Sequence, residues 1–365
     1  MKVVLHRTHG GPDVLQVADV PMPDPGADEV LVRVEACGLN HLDVLQRRGP
    51  SLIPGFTLPH VSGMDIAGTI AAVGPAGDGP SDTDPASNGH AGKGRTGGAS
   101  PLAEGARVVV NPAVPCGNCA DCVAGADGRC ATAGVIGANL AGGYAEYVLV
   151  PTANVHQVPD EVDLVDAAVV PTIWMTAWHA LVEIGKVRLG ETVLIHAAGS
   201  GVSTALIQLA KAAGARVVTT VGSDAKTEYA RGLGADVVVN STTEDVVAAV
   251  REVTGGRGAD LVLDHVGPAT WNTGVYSLAP RGRLVFFGNT TGNRAEFDLV
   301  YAYHFGLQLL GSDPYDRREF AAMLDAYWAS TFRTPIDSEF PLVDAAAAQE
   351  RMESRRATGK IVLRP

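Results

Sequence analysis

Four of the five cysteines fall within fifteen residues, as Cys116, Cys119, Cys122 and Cys130 in the stretch CGNCADCVAGADGRC. Two-residue gaps let neighbouring thiolates turn onto one centre, and four thiolates form the usual closed cage of structural zinc. Such a cage has no vacancy for substrate or water, so the chemistry it implies is structural rather than catalytic. An iron–sulfur cluster also uses close cysteines, but its bacterial run ends in Cys-Pro, which this stretch lacks. Two disulfides, or free thiols, are the remaining alternative, and a chain that reads as cytoplasmic argues against the disulfides.

A second candidate site follows the apolar run TVLIHAA. There Gly199, Ser200, Gly201, Val202 and Ser203 form a small-residue turn that opens an amphipathic helix. Such a turn lets the backbone approach a pyrophosphate, and the helix start supplies amides and partial positive charge. The motif is degenerate, because Ser203 and Thr204 occupy the stretch where a third glycine is expected. The next apolar run ends VVTTVGSDAK. An NAD site normally places an acid at this strand tip to hold the ribose diol. Here Gly222, Ser223 and Lys226 offer a small residue, a hydroxyl and a cation, which favours the 2′-phosphate of NADP(H). Asp224 is the competing reading, a diol ligand if the turn is one residue longer.

The elements that must position these residues change character along the chain. EVLVRVEACG alternates, with Val30, Val32 and Val34 on one face, and ARVVVNP and YAEYVLVP also read as strands. Residues 76–104 are dominated by Gly, Ser, Ala, Asp and Pro, and are predicted to be a disordered insertion in which His90 and Lys93 are solvated. From about Glu191, six short apolar runs alternate with helical periodicity, the pattern of a doubly wound parallel sheet covered on both faces. The 365 residues suffice for two domains, and 46% hydrophobic content supports globular folding. A net charge of −12 disfavours nucleic acid as a partner. No apolar stretch approaches the ~18 residues of a membrane span, and the N-terminus lacks a signal-like core, so a cytoplasmic location is expected. The six lysines against twenty-two arginines, with twenty-five aspartates, suit either a high-salt cytosol or a GC-rich codon bias.

Along nearly its full length the chain resembles the medium-chain dehydrogenase/reductase superfamily. The resemblance is carried by ACGLNHLD, GMDIAGTIAAVG, the cysteine lobe, TAW, the six-strand half and the closing GKIVL. It implies an α/β protein with a GroES-like β-rich catalytic domain at 1–158, an inserted Rossmann NADP-binding domain at 159–313 and a return segment at 314–365. It also implies a homo-oligomer, dimer or tetramer. The lobe is similar to the structural-zinc lobe of zinc alcohol dehydrogenases, whereas the nucleotide half looks more like NADPH:quinone oxidoreductases. From the latter, Ser223, Lys226 and Arg356 match positions that hold the 2′-phosphate. Thr176 matches a residue near the nicotinamide, and Val266 and Gly288 match cofactor-lining loops.

The departures from the family pattern bear on chemistry. Zinc alcohol dehydrogenases hold a catalytic zinc with a Cys, the His of a Gly-His-Glu triplet, and a later Cys or acid. Cys37 stands at the first position, but the triplet reads Gly63-Met64-Asp65 and VVPTIWMTAW offers no third ligand. His41, Asp43, His60 and Asp65 are near enough in sequence to improvise a site with Cys37. An unassisted alcohol ionises about as reluctantly as water, with a pKa of about 15.7, so alcohol oxidation without a Lewis acid is difficult. Hydride addition to a quinone or an α,β-unsaturated carbonyl spreads charge over a conjugated oxygen, which a few donors can stabilise. Asn40 is the first candidate donor, with His41 and His60 as others. Asp43 is either part of the chemistry or a residue that orients its neighbours. The expectation is therefore an NADPH-dependent quinone or enone reductase with a structural zinc and a small-molecule substrate. An alcohol dehydrogenase with unusual ligands and a nucleotide-binding protein with little turnover are the alternatives. His179, His196 and His265 sit in apolar contexts and read as packing residues.

Overall fold

A computed structural model describes residues 1–51, 53–75, 102–354 and 356–365. The predicted insertion lies outside the described residues up to 101, His90 and Lys93 with it, and Leu102 packs onto the core of the first sheet. That sheet has seven strands, with Glu29–Gly38 central. This strand pairs with Asp65–Val73 along its length, with Tyr147–Pro151 at its start and with Lys360–Arg364 at its end. The alternation of EVLVRVEACG works as expected: Val30, Val32 and Val34 enter one buried cluster while Arg33 stays exposed. The chain leaves this sheet for a second one and returns through Ile336–Pro341 and Lys360–Arg364.

The second sheet is parallel. Its strands are β1 (Thr192–Ile195), β2 (Arg216–Val221), β3 (Val237–Asn240), β4 (Ala259–Asp264), β5 (Leu278–Phe286) and β6 (Gln308–Gly311), in the order 3-2-1-4-5-6. That is the doubly wound order in which two mononucleotide halves meet at β1 and β4, leaving a crevice at their carboxyl ends. Side chains of β1 feed both faces: Val193 and Ile195 enter one core, Leu194 the other. The first of these cores also takes in Ala36, Ala67, Val109 and Val362 of the first sheet. One apolar cluster therefore runs between the two sheets and fixes their relation. The sixth run departs from expectation. LQLLGS reads as buried on both faces, yet β6 is the sheet edge, and Gln308 and Gly311 are exposed.

Candidate active site and nucleotide crevice

The end of the central strand, Gly38, meets the last strand of the chain at Val362. Two residues before that contact, the Lys360 side chain is directed into the protein, and its ammonium is buried. Its three protons have three acceptors: Leu39 O at 2.6 Å, Asn40 Oδ1 at 2.9 Å and Asp65 Oδ2 at 2.8 Å. Asp65 is fully buried and also satisfied: Oδ2 accepts from Asn40 Nδ2 at 3.0 Å, and Oδ1 accepts from the Thr172 amide at 2.8 Å and from its hydroxyl. A buried ion pair persists only with such complete bonding, because each charge forfeits several kcal/mol of hydration. Two glycines make the path possible. A Cβ on Gly38 would stand 3.2 Å from Lys360 Cε and 2.9 Å from Ala168 O, and one on Gly201 would stand 3.3 Å from Lys360 Cδ. The lysine stem thus runs from the nucleotide turn to the ACGLN segment.

This pair determines how Asn40 is presented. A lysine can only donate and a carboxylate only accept, so the amide oxygen must face Lys360 and the nitrogen Asp65. One N–H of Asn40 is bonded to Asp65, and the side chain keeps 8% exposure. The neighbouring candidates are placed differently. Asp43 is fully buried, and its Oδ2 accepts from the Asn40 amide at 2.9 Å and the Tyr144 hydroxyl at 3.1 Å, closing the start of helix His41–Arg48. Its Oδ1 has no partner, and burial pushes its carboxyl up to about 7. His41 is exposed at the first position of that helix. His60 bonds Gly137 O at 3.1 Å and packs against Phe56 and His6. Cys37 is fully buried, and desolvation, reinforced by Asp43 and Asp65, raises its thiol well above the ordinary range. Cβ atoms on Gly63 and Gly143 would stand 2.7 Å and 3.0 Å from Cys37 Sγ. Cys37 is a packed thiol, and these candidates do not converge on it.

At the crevice, Ser200 caps helix Gly201–Ala212 by accepting from the Ser203 amide. The side chains at the degenerate motif positions are absorbed locally. Ser203 Oγ donates to His196 O at 2.8 Å, and Thr204 Oγ1 reaches Ser200 O and the Tyr229 hydroxyl. His265 Nε2 lies 3.0 Å from Ser203 Oγ and 3.3 Å from Ser200 Oγ, and burial drives its pKa down to about 4, leaving a neutral ring. The loops carrying Val266 and Gly288 meet, since Val266 O accepts from the Thr291 amide and a Cβ on Gly288 would strike His265 O. Beyond β2, Ser223 is exposed, and Asp224 Oδ1 accepts from Asn240 Nδ2 at 2.7 Å. Lys226 lies across the turn, its Nζ 3.0 Å from where a Gly199 Cβ would be and 3.4 Å from Ala357 O. Arg356 is exposed next to that segment, with Nε bonded to Ser354 Oγ. Thr176 is half-buried on a small cavity shared with His179.

The four lobe cysteines are unpaired as disulfides, and their Sγ atoms lie within 4.8 Å of one another. Zn–S bonds of about 2.3 Å at tetrahedral angles separate sulfurs by about 3.8 Å, and Cys116 and Cys122 stand at 3.9 Å. The amides of Asn118 and Cys119 help draw the Cys116 thiol down to about 6, favouring the thiolate that binds metal. Among the described residues this is the one group of three or more His, Cys, Asp or Glu side chains with metal-holding geometry. The lobe is docked by Asp127, which pairs with Arg317, and by the Gly128 amide, which donates to Asp316.

A family model described as alcohol dehydrogenase GroES-like domain matches residues 26–160, and one described as zinc-binding dehydrogenase matches residues 201–329. A quinone oxidoreductase of Pseudomonas aeruginosa is 31% identical, over 100% of this chain and 99% of its own length. The chain belongs to the medium-chain dehydrogenase/reductase superfamily. A 2-haloacrylate reductase from a Burkholderia species is 29% identical over 100% of this chain and 99% of its own. A solved NAD-dependent alcohol dehydrogenase superposes with a TM-score of 0.89 at 38% identity, covering both chains fully. The chain is thus an NAD(P)-dependent oxidoreductase of this superfamily.

Sequence reasoning missed Lys360, Thr172 and Tyr144. The available signal for Lys360 was a lysine in an otherwise apolar closing strand of a chain with only six lysines. It read His179 as a packing residue, and the partners of that ring are two acids, Glu319 Oε2 at 2.7 Å and Asp313 Oδ1 at 3.3 Å. The Asp43 environment generates a prediction. Its folded pKa of about 7 lies above its ordinary 3.8, so its contribution to stability is full below about pH 4 and is lost as pH rises through 7. Asp43→Asn keeps both acceptor contacts and cannot ionise. Thermal unfolding of the variant should therefore lose less stability between pH 5 and 8 than the wild type, and parallel curves would refute the assignment.

Proposed function

We propose that the chain is an NADPH-dependent reductase of quinones or α,β-unsaturated carbonyls, with zinc held by Cys116, Cys119, Cys122 and Cys130 for structure. The observation that carries this reading is the Asn40 amide, oriented by Lys360 and Asp65, beside a Cys37 without converging ligands. NADPH, when bound, supplies the hydride. As it adds to the conjugated system, the displaced electron pair collects on the carbonyl or quinone oxygen. Asn40 donates to that oxygen through the N–H not bonded to Asp65, and a proton from water completes the reduction. Lys360 and Asp65 hold the donor in place. The engaged states of Asp65, Asp43 and His60 weigh against an improvised catalytic zinc at Cys37.

Three features support NADPH over NADH, although the similar solved structure is named for NAD. Asp224 Oδ1 is engaged by Asn240, which competes with a ribose diol for that oxygen. Apart from its chain neighbours, no described residue comes within 4 Å of where a Gly222 Cβ would be, which leaves room for a phosphate. Lys226 and Arg356 bring cations to that side, and Ser223 adds a hydroxyl. The unit at 159–313 then serves as the nucleotide domain and the flanking segments as the catalytic one.

NADPH consumption measured against quinones, enones, aldehydes and alcohols tests the reading, alongside metal analysis. Quinone or enone turnover with about one zinc per chain is expected; alcohol–aldehyde turnover with about two would favour the alcohol dehydrogenase alternative. Asn40→Ala should lower kcat by roughly 10²–10³ if the amide meets the developing oxyanion. An unchanged kcat would remove Asn40 from the chemistry. Lys226→Ala should weaken NADPH more than NADH, by about 1–3 kcal/mol, and equal loss for both cofactors would count against the 2′-phosphate assignment.

A further inference from the structure

His179 follows Thr176 by one helical turn, at the end of helix Pro171–Trp178. Its Nδ1 lies 2.7 Å from Glu319 Oε2 and its Nε2 lies 3.3 Å from Asp313 Oδ1. A neutral imidazole donates from one nitrogen only, whereas the imidazolium donates from both. Two carboxylates as partners therefore select the protonated ring, and its pKa is raised despite burial. The charged groups that face it are Glu319, on helix Arg317–Trp328, and Asp313, just beyond β6; Tyr315 on the same segment is a phenol kept neutral by burial.

His179 and Asp313 line a cavity of about 260 Å³ whose walls also include Thr176, Phe287, Ser312 and Tyr315, and Glu319 braces it through its bond to His179. Phe287 and Ser312 each follow the last residue of a strand, β5 and β6. The cavity thus opens at the carboxyl edge, where doubly wound sheets receive ligands. It falls just below the ~300–1,000 Å³ of pockets enclosing a whole drug-sized ligand, a size for one ring and its amide rather than a dinucleotide. One wall is anchored independently: Glu319 Oε1 accepts from the Asp316 amide, and Asp316 and Arg317 bind the cysteine lobe through Gly128 and Asp127. The other wall, helix Pro171–Trp178, is tied to it by His179.

We propose that His179 is a positioning residue for the nicotinamide, its imidazolium clasping Asp313 and Glu319 so that the two walls of this cavity hold the ring. The inference rests on the reading of the crevice as a nucleotide site. On deprotonation one bond is lost, and two carboxylates that shared a cation face each other. Because the pKa is raised above 6.5, the clasp is closed at lower pH and opens as pH rises through that shifted value.

The test compares dissociation constants of NADPH and of 2′-phospho-ADP-ribose, which lacks the nicotinamide, from pH 6 to 9. Wild-type protein should lose about tenfold more affinity for NADPH than for the truncated ligand, the equivalent of one pKa unit of coupling. His179→Gln should bind NADPH at the weak limit throughout, with the truncated ligand unaffected. If that variant does not fold, Asp313→Asn, whose carboxylate is half exposed, should shrink the pH-dependent span. Parallel pH profiles for the two ligands in the wild type would overturn the inference while leaving the nucleotide site intact. Should NADH bind in place of NADPH, NADH and ADP-ribose form the same pair. No binding of either pair at any pH would instead overturn the functional reading, and this inference with it.

Discussion

The buried pair of Lys360 and Asp65 is the contact on which the site depends. It joins the last strand of the chain, the strand that begins at Asp65, the ACGLN segment and the start of the helix at Pro171. Removing one member of such a pair typically costs about 3–5 kcal/mol, because an uncompensated charge is left inside. The pair is therefore a requirement of assembly. The Asn40 amide is oriented by the same bonds, so the geometry of the candidate donor is settled only once the C-terminal strand has docked.

The apolar skeleton was readable in one dimension because strand burial leaves a periodic trace. The six runs from Glu191 onward became β1 to β6 in the doubly wound order, and EVLVRVEACG became Glu29–Gly38. The cysteine cluster was readable because its partners are neighbours in sequence. What escaped was long-range. Lys360 meets residues 295 to 321 positions away, and His179 meets Glu319 across 140. The lysine's place at the head of an apolar strand is a local hint that it dips inward but names no partner, and nothing local distinguishes a histidine in an apolar helix from one with a carboxylate waiting beyond it. Asp43 shows the opposite case. Its place three residues after Asn40 permitted a local orienting role, and it accepts from the Asn40 backbone N–H and the Tyr144 hydroxyl, closing the start of the helix.

The cysteine lobe is less peripheral than its exposure suggests. Through Asp127 and Gly128 it fixes the first turn of helix Arg317–Trp328, and that turn carries Glu319. A lobe that lost its fold would free the wall of a cavity built from residues distant in sequence. The shared apolar core, which includes Ala36, Ala67 and Val362 with the β1 side chains, opposes independent movement of the two sheets. Between them, one polar and one apolar connection set the width of the crevice.

The passage of Lys360 between Gly38 and Gly201 has a consequence for recombining this chain with its relatives. Swapping the 192–311 segment for another nucleotide half looks modular, since that segment supplies all six strands of its sheet. Yet a methyl group at the position of Gly201 would stand 3.3 Å from Lys360 Cδ and 3.1 Å from Ile173, so one of these neighbours would have to give by a few tenths of an ångström. A donor with a bulkier residue at that point would press on the stem that carries the ammonium to Asn40 and Asp65, some distance from the splice. The nucleotide half and the closing GKIVL strand therefore have to be matched to each other at this contact.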